Sequence, residues 1–100
     1  MSDKPVCNIN FDGNRIWILN HIYHREDGPA IERVDRYKAW YINDKCHRID
    51  GPAVERVDGS GYWFMEGQSL YPEEAVKDLE LQAKYPKLIE AMIVYLVHNS

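Results

Sequence analysis

Two short runs hold the side chains with the widest chemical reach: His24-Arg25-Glu26-Asp27 and His47-Arg48-Ile49-Asp50. Two imidazoles and two carboxylates make a donor set that a divalent metal accepts. The runs are copies of each other, however, and stacked copies of a β unit lie a strand pair apart. At about 4.8 Å per strand that is roughly 10 Å, too far for one tetrahedral centre with ligands at about 2 Å. A structural role fits better, with Asp accepting from loop backbone or from the neighbouring Arg. His24, Arg25, Asp27, His47, Arg48 and Asp50 are expected to tie the repeat loops, and no metal site is expected.

No other constellation suits catalysis. Cys46 precedes His47, but adjacent residues of a strand point to opposite faces, so they form no dyad. Ser60 and Ser69 sit in turn-like context without a distinctive base. Gly59-Ser60-Gly61 reads as a hairpin turn and not as a phosphate cradle. Glu32 and Glu55 recur in register, which suits cross-strand pairs with basic neighbours better than acid–base work. The chain is expected to be no enzyme and to hold no cofactor.

The elements behind these side chains repeat. Trp17, Trp40 and Trp63 are spaced 23 residues apart, and Asp27-Gly28-Pro29-Ala30 recurs at the same offset as Asp50-Gly51-Pro52-Ala53. His24-Arg25 becomes His47-Arg48, and Glu32-Arg33-Val34-Asp35 becomes Glu55-Arg56-Val57-Asp58. Self-similarity at a fixed period marks a repeat array with atypical ends. Full copies span residues 12–34 and 35–57, and a third begins at Asp58 and stops after Gln68, where Leu70 and Tyr71 replace His-Arg.

Each unit should hold two strands. The Trp segments, residues 15–20, 38–43 and 61–66, are aromatic and β-branched. The second strands, residues 30–34 and 53–57, follow a proline, which a strand tolerates at its start. Short turns make neighbours antiparallel, so the expected fold is mainly β with C-terminal helices (α+β). It is an antiparallel meander of about six strands over residues 6–68, then two short helices over 70–98, in a single domain. Pro72, Glu73 and Glu74 suit a helix start. Val76, Leu79 and Ala83 would keep one face, Tyr85-Pro86 breaks the run, and Pro86 opens the second helix, to about His98. Apolar residues cover over half the circumference of that second helix, more than one packed stripe needs. It is expected to cap the sheet, to pair with a second copy as a homodimer, or to lie in a groove of another protein.

Alternation puts Trp17, Leu19, Trp40, Ile42, Trp63 and Met65 on one face and Ile16, Ile18, Ala39, Tyr41, Tyr62 and Phe64 on the other. Two helices cover one such face, which leaves an apolar face for a partner. The expected partner is a protein, met by Tyr41, Tyr62, Phe64, Arg33 and Arg56 as an aromatic/arginine hot spot.

Charge narrows the partners further. The chain has 12 Lys+Arg against 16 Asp+Glu, a net −4. Residues 1–71 carry nine basic and eleven acidic side chains, so the Trp face lacks the basic groove of a base-stacking platform and no nucleic acid is expected. Cys7 and Cys46 form no CxxC pair and read as free thiols of a reducing compartment. The polar Met1-Ser2-Asp3-Lys4-Pro5 start is unlike a signal peptide. The longest apolar run, residues 92–97, falls short of the about 20 residues a membrane span needs. The chain is expected to be cytoplasmic and not membrane-bound.

The unit Trp-Tyr-Ile-Asn-x-x-x-His-Arg-x-Asp-Gly-Pro-Ala, as it stands at Trp40–Ala53, resembles the Asp-Gly-Pro-Ala repeat proteins common in tailed phages and giant viruses. Those look like distant relatives of MORN repeats, with a similar period and two strands per unit. The resemblance covers residues 6–68 and implies a scaffolding or partner-binding array. MORN Gly-x-Gly punctuation is missing, so lipid binding does not carry over. By the same analogy, a small acidic phage protein is often an accessory inhibitor of a host defence or metabolic protein in the host cytoplasm. Two other functions fit the composition: a nucleotide-type small-ligand sequestering oligomer, and a structural unit that self-assembles through strand edges.

Overall fold

The structure, a computed structural model, describes residues 4–98. Strands β1 (Val6–Ile9), β2 (Arg15–Leu19), β3 (Ile22–Tyr23), β4 (Ile31–Glu32), β5 (Lys38–Ala39), β6 (Tyr41–Ile42), β7 (Lys45–Cys46), β8 (Val54–Glu55), β9 (Gly61–Met65) and β10 (Gln68–Leu70) come first. Helices α1 (Pro72–Ala75), α2 (Leu79–Lys84) and α3 (Pro86–His98) follow. All strand pairings are antiparallel. The main path runs β1-β2-β4-β5-β8-β9-β10, with β3 beside β2 and β6-β7 as a separate hairpin. The result is a mainly antiparallel β ribbon followed by C-terminal helices.

The strands are shorter and more numerous than six, for a local reason. Asn20 and His21 have φ of 51° and 70°, Asn43 and Asp44 50° and 67°, and Glu66 and Gly67 50° and 87°. Two consecutive left-handed residues are what a two-residue type I′ hairpin needs. Each Trp strand therefore folds straight back, and β3, β7 and β10 are these return strands. Trp40 lies outside the ladder and divides the middle Trp segment into β5 and β6.

The opposite edge is made of a second turn. The Arg33 N–H donates to Tyr37 O at 2.9 Å, Arg56 N–H to Ser60 O at 2.8 Å, and Asn10 N–H to Asn14 O at 3.1 Å. Asp35 and Asp58 each accept from the backbone N–H two residues on, the Asx arrangement that stabilises such a turn.

The helices differ from expectation in their first half. Asp78 Oδ1 accepts from the N–H groups of Glu80 and Leu81, an N-cap that starts α2 afresh. The run from Pro72 to Tyr85 is thus two short helices. Leu79 is 77% exposed and Ala83 is exposed, so the face Val76-Leu79-Ala83 is not the packed one. Ala75, Val76, Leu81 and Tyr85 pack instead. Pro86 opens α3, whose Leu88, Ile89 and Met92 join Trp63, Met65 and Ala75 in the core. The helices therefore cover the Trp face of the third unit.

Candidate open-face interaction site

The repeated loops are built around arginine. The Arg25 guanidinium lies 3.8 Å from the Trp17 ring centroid, and that of Arg48 lies 3.8 Å from the Trp40 centroid. Arg25 donates to Asp27 (2.9 Å), Pro29 O (3.1 Å) and Glu32 (2.8 Å). Arg48 donates to Asp50 (2.9 Å), Pro52 O (3.0 Å) and Glu55 (2.9 Å). On its other side each guanidinium meets a glycine: a Cβ added at Gly28 would stand 2.9 Å from Arg25 Cζ, and one at Gly51 2.7 Å from Arg48 Cζ. The glycine of Asp-Gly-Pro-Ala is there for this close approach.

The histidines link one unit to the next. His24 Nδ1 accepts from the Asn43 N–H at 2.9 Å, and His47 Nδ1 from the Glu66 N–H at 3.0 Å. In both cases the acceptor holds the first residue of the following I′ turn. The two imidazoles are thus engaged with different turns, and their Asp neighbours with different arginines.

The opposite face carries two columns of residues across the strands. One runs Ile16, Ile31, Ala39, Val54, Tyr62 by direct register. The other holds the hairpin pairs Ile18–Tyr23, Tyr41–Cys46 and Phe64–Ser69. Tyr23 and Tyr41 join two of these hairpins, with ring centroids 5.3 Å apart at 48°. Burial raises the Tyr41 phenol above its ordinary pKa. The helices pack on the other side of β9, against Trp63 and Met65. Tyr62 is 49% exposed, and Tyr41 and Phe64 are half-buried.

Beside the columns runs a line of alternating cations and rings. The Arg33 guanidinium lies 5.4 Å from the Tyr37 ring centroid, and that of Arg56 lies 5.7 Å from Tyr62. Arg56 also donates to the Tyr62 hydroxyl at 2.8 Å, which raises its pKa further. Arg33 pairs with Asp35 at 2.8 Å. All of Tyr41, Tyr62, Phe64, Arg33 and Arg56 therefore belong to one side of the ribbon.

Tyr37 and Tyr23 complete that surface, and sequence reasoning left both out. Tyr23 sits on a return strand that only the two-residue turns reveal, and Asn20-His21 and Asn43-Asp44 were the available signal. Tyr37 holds the position that Asn14 and Ser60 hold in the other units, so periodicity gave no hint of it.

Of two further surface features, the second shares Arg56 with this face. The outer side of α3 exposes Ile93, Val94 and Val97. A depression of about 610 Å³ is lined by Arg36, Lys38, Glu55, Arg56, Ser60 and Tyr95, among others. Among the described residues, no helix is long and apolar enough to cross a membrane. Compared with protein-family models, curated proteins and solved structures, the chain matches none.

Proposed function

We propose that the chain is a non-enzymatic protein-interaction module whose contact surface is the open face of the ribbon. One observation carries this reading: Arg33, Tyr37, Arg56 and Tyr62 alternate beside two apolar columns on the face away from the helices. Arg and Tyr are the residues that dominate protein–protein hot spots, because each joins a large apolar body to directional hydrogen bonds. The partner is a protein with a complementary apolar patch and a carboxylate rim. The resemblance to phage Asp-Gly-Pro-Ala repeats supports a narrower version, an accessory inhibitor that occupies a host defence or metabolic protein.

A tagged pull-down from host-type lysate tests this, with Phe64→Asp and Tyr62→Ala as controls of verified fold. A single stoichiometric protein should be captured by the wild type and lost with Phe64→Asp. Tyr62→Ala should weaken binding by more than about 1 kcal/mol. Capture that survives both substitutions removes the open face from the reading.

A small-ligand reading rests on the depression beside Tyr95, where Arg36, Lys38 and Arg56 gather with Glu55 as the opposing carboxylate. A nucleotide that binds there should raise stability by about 2.7 kcal/mol at a hundredfold excess over its dissociation constant. Unchanged melting across a nucleotide panel leaves the protein-interaction reading alone.

A further inference from the structure

Strand β1 occupies the place in the zeroth unit that β4 and β8 occupy in the next two. Asn8 pairs with Ile16 as Ile31 pairs with Ala39 and Val54 with Tyr62. β4 and β8 each have a strand on both sides, whereas among the described residues β1 pairs with β2 alone. Its outer edge is therefore a vacant ladder. Edges of this kind are usually guarded by Lys, Pro or a bulge. Lys4 and Pro5 stand just before the strand, but Val6-Cys7-Asn8-Ile9 itself has none of these, and Val6 and Ile9 are 63% and 65% exposed.

The geometry points to β1 of a second copy as the occupant of that edge. The Asn10 N–H donates to Asn14 O, so Asn10–Asn14 is a hydrogen-bonded pair of the β1–β2 hairpin. Bonded and non-bonded pairs alternate along an antiparallel ladder. Asn8 and Val6 therefore also turn their backbone groups to β2, and Cys7 and Ile9 turn theirs outward. A two-fold axis at Asn8 sets Cys7 of one copy against Ile9 of the other, and the reverse. All four outward N–H and C=O groups on each side are then used.

Charge agrees with this register. Lys4 and Asp12 stand equally far from Asn8 in the chain, so antiparallel pairing brings the positively charged end of each strand to the negatively charged end of the other. The strand between them is uncharged, so no like charges meet. The pairing is isologous and closes at two copies. It also makes the two open faces continuous, because Asn8 lies on the side of Ile16. The inference stands independently of what the open face binds.

Cysteine placement tests the register directly. In a Cys7→Ser background, Asn8→Cys faces its own copy as a non-bonded pair, with Cα atoms about 4.5 Å apart, inside disulfide range. Val6→Cys in the same background lies off the axis. Mild oxidation should give a covalent dimer with Asn8→Cys and monomer with Val6→Cys. Sedimentation should show wild-type mass doubling with concentration. Cys7→Pro should remove that doubling with the far-UV spectrum unchanged, since Cys7 donates nothing to β2. Val94→Glu, on the outer side of α3, should keep the dimer. A wild type that stays monomeric, equal crosslinking of the two cysteine variants, or a dimer lost with Val94→Glu but kept with Cys7→Pro overturns the inference.

Discussion

Trp17 and Trp40 share a strand position and a 23-residue spacing with Trp63, yet they are finished in different ways. The first two lie half-buried under an arginine that their own loop supplies and that a glycine backs. Trp63 is 3% exposed, has Tyr71 where the arginine would be, and meets Tyr95 of α3 edge-on at 5.6 Å. An arginine staple is satisfied within its unit, so such a unit can be stacked repeatedly. A helix on the tryptophan belongs to no unit and ends the array. The polar solution propagates the ribbon, and the apolar one terminates it.

If this division is right, substitutions should separate the two regions. Trp63→Ala removes the centre of the only extended core cluster among the described residues. It should cost about 3–5 kcal/mol in urea unfolding, as large-to-small core changes do. Trp40→Ala should cost clearly less, because Trp40 is half-buried and its stack is partly solvated. Equal losses would mean that the staple is as cohesive as the core. Trp63→Phe sharpens the point. The indole N–H of Trp63 is buried without a protein acceptor, so removing it gives up no hydrogen bond.

The staple has its own signature. Arg48→Met leaves the Pro52 carbonyl and Glu55 without their donor and should cost about 2 kcal/mol, the range for charge-assisted bonds. The Asp50 arm is largely exposed and adds little of this. Gly51→Ala should be destabilising by about 1–3 kcal/mol through overpacking against the guanidinium. The two changes act on the same contact, so the double variant should cost less than their sum in chemical denaturation. Additive losses would show that the glycine serves something other than the arginine.

These contrasts mark what the sequence could disclose. Repetition disclosed the ribbon, its antiparallel sense and the sides of the strands, because each is a local pattern that recurs. Periodicity alone hid the return strands. Asn43-Asp44 carries no glycine, and its left-handed pair is imposed by the fold of the hairpin. The break in the first helix hung on Asp78, a capping residue inside an otherwise helical pattern. The face that the helices cover depends on how residues distant in sequence meet. Leu88, Ile89 and Met92 against Trp63 are such contacts, and alternation within a strand says nothing about which side they choose.

A smaller effect separates the turns at the edge opposite the type I′ hairpins. Gly13 and Gly59 have φ of 85° and 88°, and the equivalent residue of the middle unit is Arg36, at 79°. Left-handed backbone costs a residue with a Cβ about 1 kcal/mol or more. Arg36→Gly should therefore raise stability by up to about 1 kcal/mol, less the added freedom of the unfolded chain. Destabilisation would mean that the Arg36 side chain, at the rim of the depression beside Tyr95, contributes more than its backbone strain.

The two thiols give the finest contrast, between an end strand and an interior hairpin. Cys7 is exposed on β1, and Cys46 lies in β7 with burial pushing its pKa up from 9.0 to about 11. The thiolate is the nucleophile, and burial disfavours it. Alkylation at mildly alkaline pH should label Cys7 first and leave Cys46 as thiol until the hairpin opens, which peptide mass spectrometry reads directly. The same shift acts on stability. Below pH 9 the thiol is protonated in both states, and the full stability is present. As pH rises from 9 toward 11, the unfolded chain ionises before the folded one and stability falls. Cys46→Ser should flatten that alkaline loss, and Cys7→Ser should leave it in place. Equal labelling of both thiols in the folded protein would mean that the β6–β7 hairpin opens as readily as the end strand. The interior of the ribbon would then be no firmer than its edge.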